Sequence, residues 1–139
     1  MKIYSTFMRH ALAAMLFTWA VAMVGAAESS DLGQAAGSVA IPSGLSRAQV
    51  QTAAEQALIG RQWEVKSKSD ERVVGYLKHR SNEATLTLVL TDKQVEIFCV
   101  GWQVSKSTGV REKPEQPTGW IKYIKGDLTK ILTRAAGAK

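Results

Sequence analysis

Four successive segments in the middle of this 139-residue chain alternate apolar and polar residues with a period of two. This alternation is typical of half-buried β-strands, whose successive side chains point to opposite faces of a sheet. Only two or three polar residues separate one segment from the next, so the strands can pair only as antiparallel neighbours. The predicted strands are residues 63–68, 72–80, 83–91 and 94–102, which together form a four-stranded antiparallel meander.

Helical patterns flank the predicted meander on both sides. Ser46 and Gln49 match a capping box, and apolar residues then recur at spacings of three and four. A second stripe with the same spacing runs from Trp120 to Leu132, after a polar segment at 105–117 that contains two prolines. We therefore predict an α+β domain of order α-β-β-β-β-α, with two helices covering one face of the sheet. Thr118 is the expected N-cap of the second helix.

The first 27 residues have the composition of a secretory signal peptide. Lys2 and Arg9 precede an uncharged apolar run over residues 11–24, and small residues end the segment at Ala27. The apolar run is short for a membrane span, although an uncleaved N-terminal anchor is the alternative reading. Cleavage would leave 112 of the 139 residues, enough for one core, and would lower the net charge from +6 to +4 because two basic residues leave.

The rest of the chain divides into three parts by composition. Residues 28–44 are rich in Gly, Ser and Ala, and we interpret them as a flexible leader. Residues 45–134 form the single α+β domain, and residues 135–139 are expected to fray. The signal peptide predicts a periplasmic or secreted location. No second long apolar stretch follows in the sequence, so we expect no membrane span after cleavage.

The alternation also divides the predicted sheet into two faces. One face collects apolar side chains from all four strands, and the helices would cover it. Turns placed at residues 81–82 and 92–93 set the register of the opposite face. That face carries a row of Tyr76, Thr87 and Phe98, then a row of Lys78, Thr85 and Val100, with Trp102 near the rim.

The candidate contact surface on this opposite face consists of Tyr76, Phe98, Val100, Trp102 and Lys78. A contiguous apolar patch with polar surroundings often marks an interface, either with a partner or with a second copy in a homodimer. Two alternatives stay open at this point. Aromatic and branched side chains also stabilise a hydrated sheet by packing across strands, and segment 103–117 can fold over the patch.

The basic residues indicate a second possible function, the electrostatic binding of anionic envelope components. The residues available for it are Lys66, Lys78, Arg80, Lys106, Arg111 and Lys113. The expected partner is thus an unknown envelope protein or an anionic envelope component. Nucleic acid is disfavoured, because the chain carries an export signal and its basic residues form no long run.

Few residues could carry out chemistry. The mature chain would keep one histidine, His79, and one cysteine, Cys99, so it could form no internal disulfide. A thiol–imidazole pair would define a small enzyme, but the register displaces the two residues along the helix-covered face, which favours a buried thiol and a buried, hydrogen-bonded histidine. No residues have metal-ligand spacing, and no glycine-rich phosphate loop occurs. We therefore predict a binding module without cofactor or metal rather than an enzyme.

Several segments carry a resemblance to known proteins. Residues 57–63 (ALIGRQW) look like an A-L-x-x-R-G-W signature, and Trp120-Ile121-Lys122 with Leu128 resembles a final R-W-V-x-x-L helix. Residues 73–77 (VVGYL) and the apolar strand at 84–90 continue the likeness. These features resemble a family of small uncharacterised secreted proteins and lipoproteins of proteobacteria, over about residues 46–132. The resemblance implies the same fold and an envelope location, and it implies no activity.

The chain departs from that family pattern in four respects. Gln62 stands where the signature has glycine, and Ser81-Asn82 replaces a Gly-His pair. The segment after the last strand differs, and the lipid-bearing cysteine is missing. The missing cysteine indicates a soluble periplasmic form rather than a lipoprotein.

Overall fold

The computed structural model describes residues 31–138, so the signal peptide predicted over residues 1–27 lies outside the described residues. The described chain forms six strands and two helices. In chain order these are β1 (Gln34–Ala40), α1 (Arg47–Ile59), β2 (Glu64–Lys68), β3 (Arg72–His79), β4 (Asn82–Leu90), β5 (Gln94–Val104), β6 (Arg111–Pro114) and α2 (Thr118–Gly137). No helix within residues 31–138 is long and apolar enough to cross a membrane.

The strands form one antiparallel sheet of order β1-β5-β4-β3-β2, and β6 pairs with the edge of β5 beyond the end of β1. Both helices pack on the same side of the sheet and against each other. The α+β class is confirmed, and the predicted meander corresponds to β2–β5. The sheet differs from the prediction by the two additional strands on the β5 edge.

The flexible leader predicted over residues 28–44 is wrong for residues 34–40, which form β1. This strand pairs with β5, with Ala35 opposite Phe98 and Val39 opposite Val95. Gly37 has a φ of 128° at a bulge in the pairing, a backbone conformation that favours glycine. The physical reason for the strand is the edge of β5, whose unpaired backbone groups β1 satisfies.

Helix α1 begins at a complete capping box, in which Ser46 and Gln49 exchange hydrogen bonds with each other's backbone N–H groups. This confirms the predicted start of the helix. Its buried stripe is short and rich in alanine, which lets the helix lie close to the sheet. At Gly75 a Cβ atom would lie 2.9 Å from a methyl group of Leu58, so the glycine makes room for this core side chain.

Helix α2 differs from the prediction at both ends. The helix begins at Thr118 and follows Pro117, so Thr118 is not the N-cap and no side chain caps this end. The helix continues to Gly137, so the predicted fraying is wrong for residues 135–137. Ala135 and Ala136 are half-buried, and this burial stabilises the last turn. The buried stripe of α2 consists of Ile121, Ile124, Leu128 and Leu132.

The register predicted between β4 and β5 is confirmed, but the register between β3 and β4 is wrong by two residues. The turn consists of Arg80 and Ser81, and Arg80 has a φ of 56°. Tyr76 therefore lies opposite Thr85 rather than Thr87. The carbonyl of Ser81 accepts a hydrogen bond from the N–H of Val104 at 2.7 Å, which joins the turn to the extended β5. A shift of two residues leaves every side chain on its predicted face.

Candidate functional site

The outer face of the sheet is the face turned away from α1 and α2. Three adjacent rows cross β3, β4 and β5 on this face. They are Val74–Thr87–Phe98, Tyr76–Thr85–Val100 and Lys78–Glu83–Trp102. The four predicted aromatic and branched contact residues are half-buried, and Lys78 is exposed. The structure therefore brings all five predicted contact residues together on one face.

Segment 103–117 reaches the outer face at its Trp102 end through the side chain of Arg111, whereas β6 itself stays at the sheet edge. β5 extends to Val104, and β6 pairs edge to edge with β5. The chain then crosses the helix side of the sheet at Gly101, where a Cβ atom would collide with the carbonyl of Glu115 and lie 2.9 Å from Pro117. The half-buried aromatic and branched side chains of the outer face are therefore interpreted either as cross-strand packing or as a contact surface for a partner.

A buried carboxylate lies at the Trp102 end of the outer face. Glu83 lies at the start of the predicted strand 83–91, where it belongs to β4 and is 8% exposed. Its carboxylate accepts a hydrogen bond from the hydroxyl of Tyr76 at 2.9 Å and one from Arg111. The guanidinium of Arg111 also lies 5.3 Å from the centre of the Trp102 ring. Arg111 thus attaches the β5–β6 hairpin to the outer face.

This hydrogen-bonded cluster shifts the pKa of both acids in it. Burial acts to raise the pKa of Glu83, but the hydrogen bonds from Arg111 and Tyr76 outweigh it and leave the pKa lowered. Burial and the hydrogen bond to Glu83 raise the pKa of Tyr76. The indole N–H of Trp102 is buried without an acceptor in the described part of the chain, so this end of the face keeps an unsatisfied donor.

Basic side chains collect at the same end of the sheet. The β3–β4 turn, flanked by Lys78 and Arg80, lies beside the β5–β6 hairpin, which carries Lys106. All three are exposed, and none pairs with a carboxylate within residues 31–138. Lys113 is exposed on neighbouring β6. Lys66 lies apart on β2, where it pairs with Glu64 and approaches the Tyr76 ring.

A pocket of about 200 Å³ lies at this end of the sheet on the helix side, and sequence reasoning missed it. Its lining consists of Arg61, Gln62, Trp63, Leu77, His79, Trp120 and Tyr123. Trp63 and Trp120 meet edge to face, with ring centres 5.9 Å apart. The Arg61 guanidinium lies 4.6 Å from the centre of the Tyr123 ring and pairs with Asp127. The sequence patterns put Trp120 in the apolar stripe of the second helix and Trp63 in a strand, and the family signature contained Arg61, but none of them predicted a pocket.

His79 and Cys99 do not form a thiol–imidazole pair. Cys99 is 0% exposed, and burial raises its pKa to about 11, so its thiol stays protonated at neutral pH. His79 is exposed at the pocket, contrary to the predicted burial, and is offset from Cys99 by four residue positions, or about 13 Å along the strands. No group of three or more potential metal ligands occurs in the described part of the chain.

Comparison with known proteins gives no match, either to a protein-family model, to a curated protein or to a solved structure. The resemblance to secreted proteobacterial proteins therefore stays a prediction. The function has to be argued from the outer face, the basic end and the pocket.

Proposed function

We propose that this chain is an exported, periplasmic binding module that contacts a partner through the outer face of its sheet. The contact residues are Tyr76, Phe98, Val100, Trp102 and Lys78. The observation that carries the proposal is that these five residues lie on three adjacent rows over which no other element within residues 31–138 packs, apart from the Arg111 side chain at the Trp102 end. Cross-strand neighbours already restrict the four larger side chains, so binding of a partner would cost little additional side-chain entropy.

The distribution of polarity on this face indicates the chemistry of the partner. Phe98 and Val100 lie in the apolar centre, whereas Lys78 marks the basic end. Arg111 neutralises the buried Glu83, so this carboxylate does not offset the neighbouring lysine. A partner that presents an apolar segment beside negative charge fits both parts of the face. The proposed location depends on the signal sequence over residues 1–27.

Site-specific photo-crosslinking in the native host tests the proposal. A photoreactive phenylalanine analogue replaces Phe98 in one variant and Ile59 in the control, because Ile59 is exposed on α1 at the opposite side of the sheet. We expect a discrete adduct from position 98 and none from position 59. The mass of the adduct distinguishes a second copy of this chain from a different partner. Adducts from position 59 alone would contradict the proposal.

A substitution in the same face measures its contribution to binding. Phe98→Ser is expected to keep the circular dichroism spectrum of the native protein and to weaken association with the crosslinked partner at least tenfold, because it removes the central aromatic side chain. Ile59→Ser removes a similarly large exposed apolar side chain from the helix side and serves as the matched control. Equal affinity of the Phe98→Ser variant and the native protein would contradict the proposal.

The cluster of Lys78, Arg80 and Lys106 supports a second candidate function, electrostatic binding of an anionic envelope component. In that case the basic end alone makes the contact, and affinity falls steeply with salt concentration. The double variant Lys78→Glu/Arg80→Glu would then lose binding to anionic vesicles, while Phe98→Ser would bind as the native protein does. Salt-insensitive binding that depends on Phe98 would contradict this second function.

A further inference from the structure

A second site, distinct from the outer face, lies in the pocket between the C-terminal end of α1, the end of β3 and the start of α2. Its walls are mainly aromatic. Trp63 and Trp120 stand perpendicular to each other, Leu77 adds an apolar surface, and Tyr123 is 56% exposed at the opening. A cavity of about 150 Å³ can hold a benzene molecule, so a pocket of about 200 Å³ has room for one substituted six-membered ring.

An almost completely buried hydrogen-bond donor lines this pocket. Trp63 is 3% exposed, and its indole N–H has no acceptor within residues 31–138. The indole nitrogen of Trp102 also has no acceptor in the described region, but that nitrogen is completely buried. The Trp63 ring, by contrast, lines the pocket, and its indole N–H is unpaired in the described region. An acceptor atom of a ligand would satisfy it.

The Arg61 guanidinium at the pocket is paired with Asp127 but keeps hydrogen-bond donors for a ligand. Arg61 donates to Asp127 through Nε at 2.6 Å and through Nη2 at 3.2 Å, which leaves Nη1 without an acceptor in the described chain. His79 is exposed on the wall, and no carboxylate belongs to the lining. The pocket thus combines an apolar ring site with the donors of Trp63 and Arg61.

We propose that this pocket binds a small aromatic carboxylate. The ring of the ligand lies against Trp63, Trp120 and Leu77. The carboxylate accepts hydrogen bonds from the indole N–H of Trp63 and from the free end of the Arg61 guanidinium. His79 stands at the opening. The site is independent of the outer face, so this proposal does not rest on the function proposed for that face.

Titration with benzoate, followed through the indole N–H signals of the ¹⁵N-labelled full-length protein, tests this site. The chain has four tryptophans, and Trp63→Phe and Trp102→Phe assign two of their signals. We expect benzoate to shift the Trp63 signal with a Kd of about 1 mM, which is ordinary for so small a ligand, and to leave the Trp102 signal in place. Benzamide, which has the same shape without the charge, is expected to bind at least tenfold more weakly.

Two variants separate binding from folding. Trp63→Phe keeps an aromatic ring but removes the donor, and we expect it to weaken benzoate binding about tenfold, with the histidine signal of His79 as the readout. His79→Ala changes an exposed residue and is expected to leave the fold intact. Benzoate should still shift the Trp63 signal of this variant, but at a higher concentration than in the native protein. Trp102→Phe is the matched control and should bind as the native protein does. The proposal is overturned if the Trp63 signal stays in place at about 20 mM benzoate, if benzamide binds equally well, or if Trp63→Phe binds unchanged.

Discussion

The ion pair between Glu83 and Arg111 should couple the β5–β6 hairpin to the outer face with an energy of about 1 kcal/mol. The two side chains differ in exposure, at 10% for Glu83 and 56% for Arg111. Fully exposed ion pairs contribute about 0.2–1 kcal/mol, whereas hydrogen bonds to charged buried groups contribute about 1.5–3 kcal/mol. For a pair with one buried and one half-exposed partner, we expect a coupling energy between these two ranges.

A double-mutant cycle measures this coupling directly. The free energy of unfolding is obtained by urea denaturation at pH 7 for the native protein, Glu83→Gln, Arg111→Ala and the double variant. Arg111→Ala is expected to destabilise by about 1–2 kcal/mol, because it leaves a buried carboxylate with Tyr76 as its remaining donor. The exposed pair of Glu64 and Lys66 is the matched control, with an expected coupling below about 0.5 kcal/mol. A Glu83–Arg111 coupling no larger than that of the control pair would refute the reasoning.

The same ion pair predicts how stability depends on pH. The pKa of Glu83 is lowered in the folded protein from its ordinary value of 4.5, so in acid the unfolded chain binds more protons at this residue than the folded chain does. Its contribution is therefore fully present above the ordinary pKa and is lost as the pH falls through the lowered one. Glu83→Gln should lose less stability than the native protein between pH 5 and 3, measured by urea denaturation. Equal acid sensitivity of the two proteins would contradict the assignment.

Three further predictions follow from the packing. Gly101→Ala should destabilise by at least about 2 kcal/mol in thermal or urea denaturation, because the added methyl group meets the backbone of Glu115, and an unchanged stability would place that segment elsewhere. The thiol of Cys99, 0% exposed, should react with a thiol reagent only in denaturant, and rapid labelling of the native protein would contradict its burial. Gly126→Ala should stabilise α2 by about 0.5–1 kcal/mol, since this glycine is exposed inside the helix with open space around it.

Local patterns made most of the fold predictable. The alternation of β2–β5 and the capping box of α1 each involve neighbouring residues, and the structure confirms both. β1 lacked such a pattern, because Val39 is its only residue that becomes buried and its pairing depends on a distant edge of β5. The β3–β4 turn was predicted at residues 81–82, whereas Arg80 takes the left-handed conformation and the turn lies at residues 80–81. Both errors have their origin in contacts that a local pattern does not contain.

The candidate site was predictable to a different extent on the two sides of the sheet. The faces of Tyr76 and Phe98 were correct despite the register error, because a shift of two residues preserves the face. Glu83 was missed because a charged residue beside a turn usually points to solvent, whereas Arg111 from a distant hairpin covers this one. The pocket was missed because its lining comes from separate elements of the chain that meet only in the folded protein.

Strand β3 links the two proposed sites, because its successive side chains alternate between the faces of the sheet. Tyr76 and Lys78 belong to the outer face, whereas Leu77 and His79 line the pocket. The two sites are therefore one residue apart along the backbone, although the sheet separates their ligands. Substitutions that leave the backbone of β3 in place should affect one site only, so Phe98→Ser should bind benzoate with native affinity. A reduced affinity in that variant would show that the sites communicate through the strand that both share.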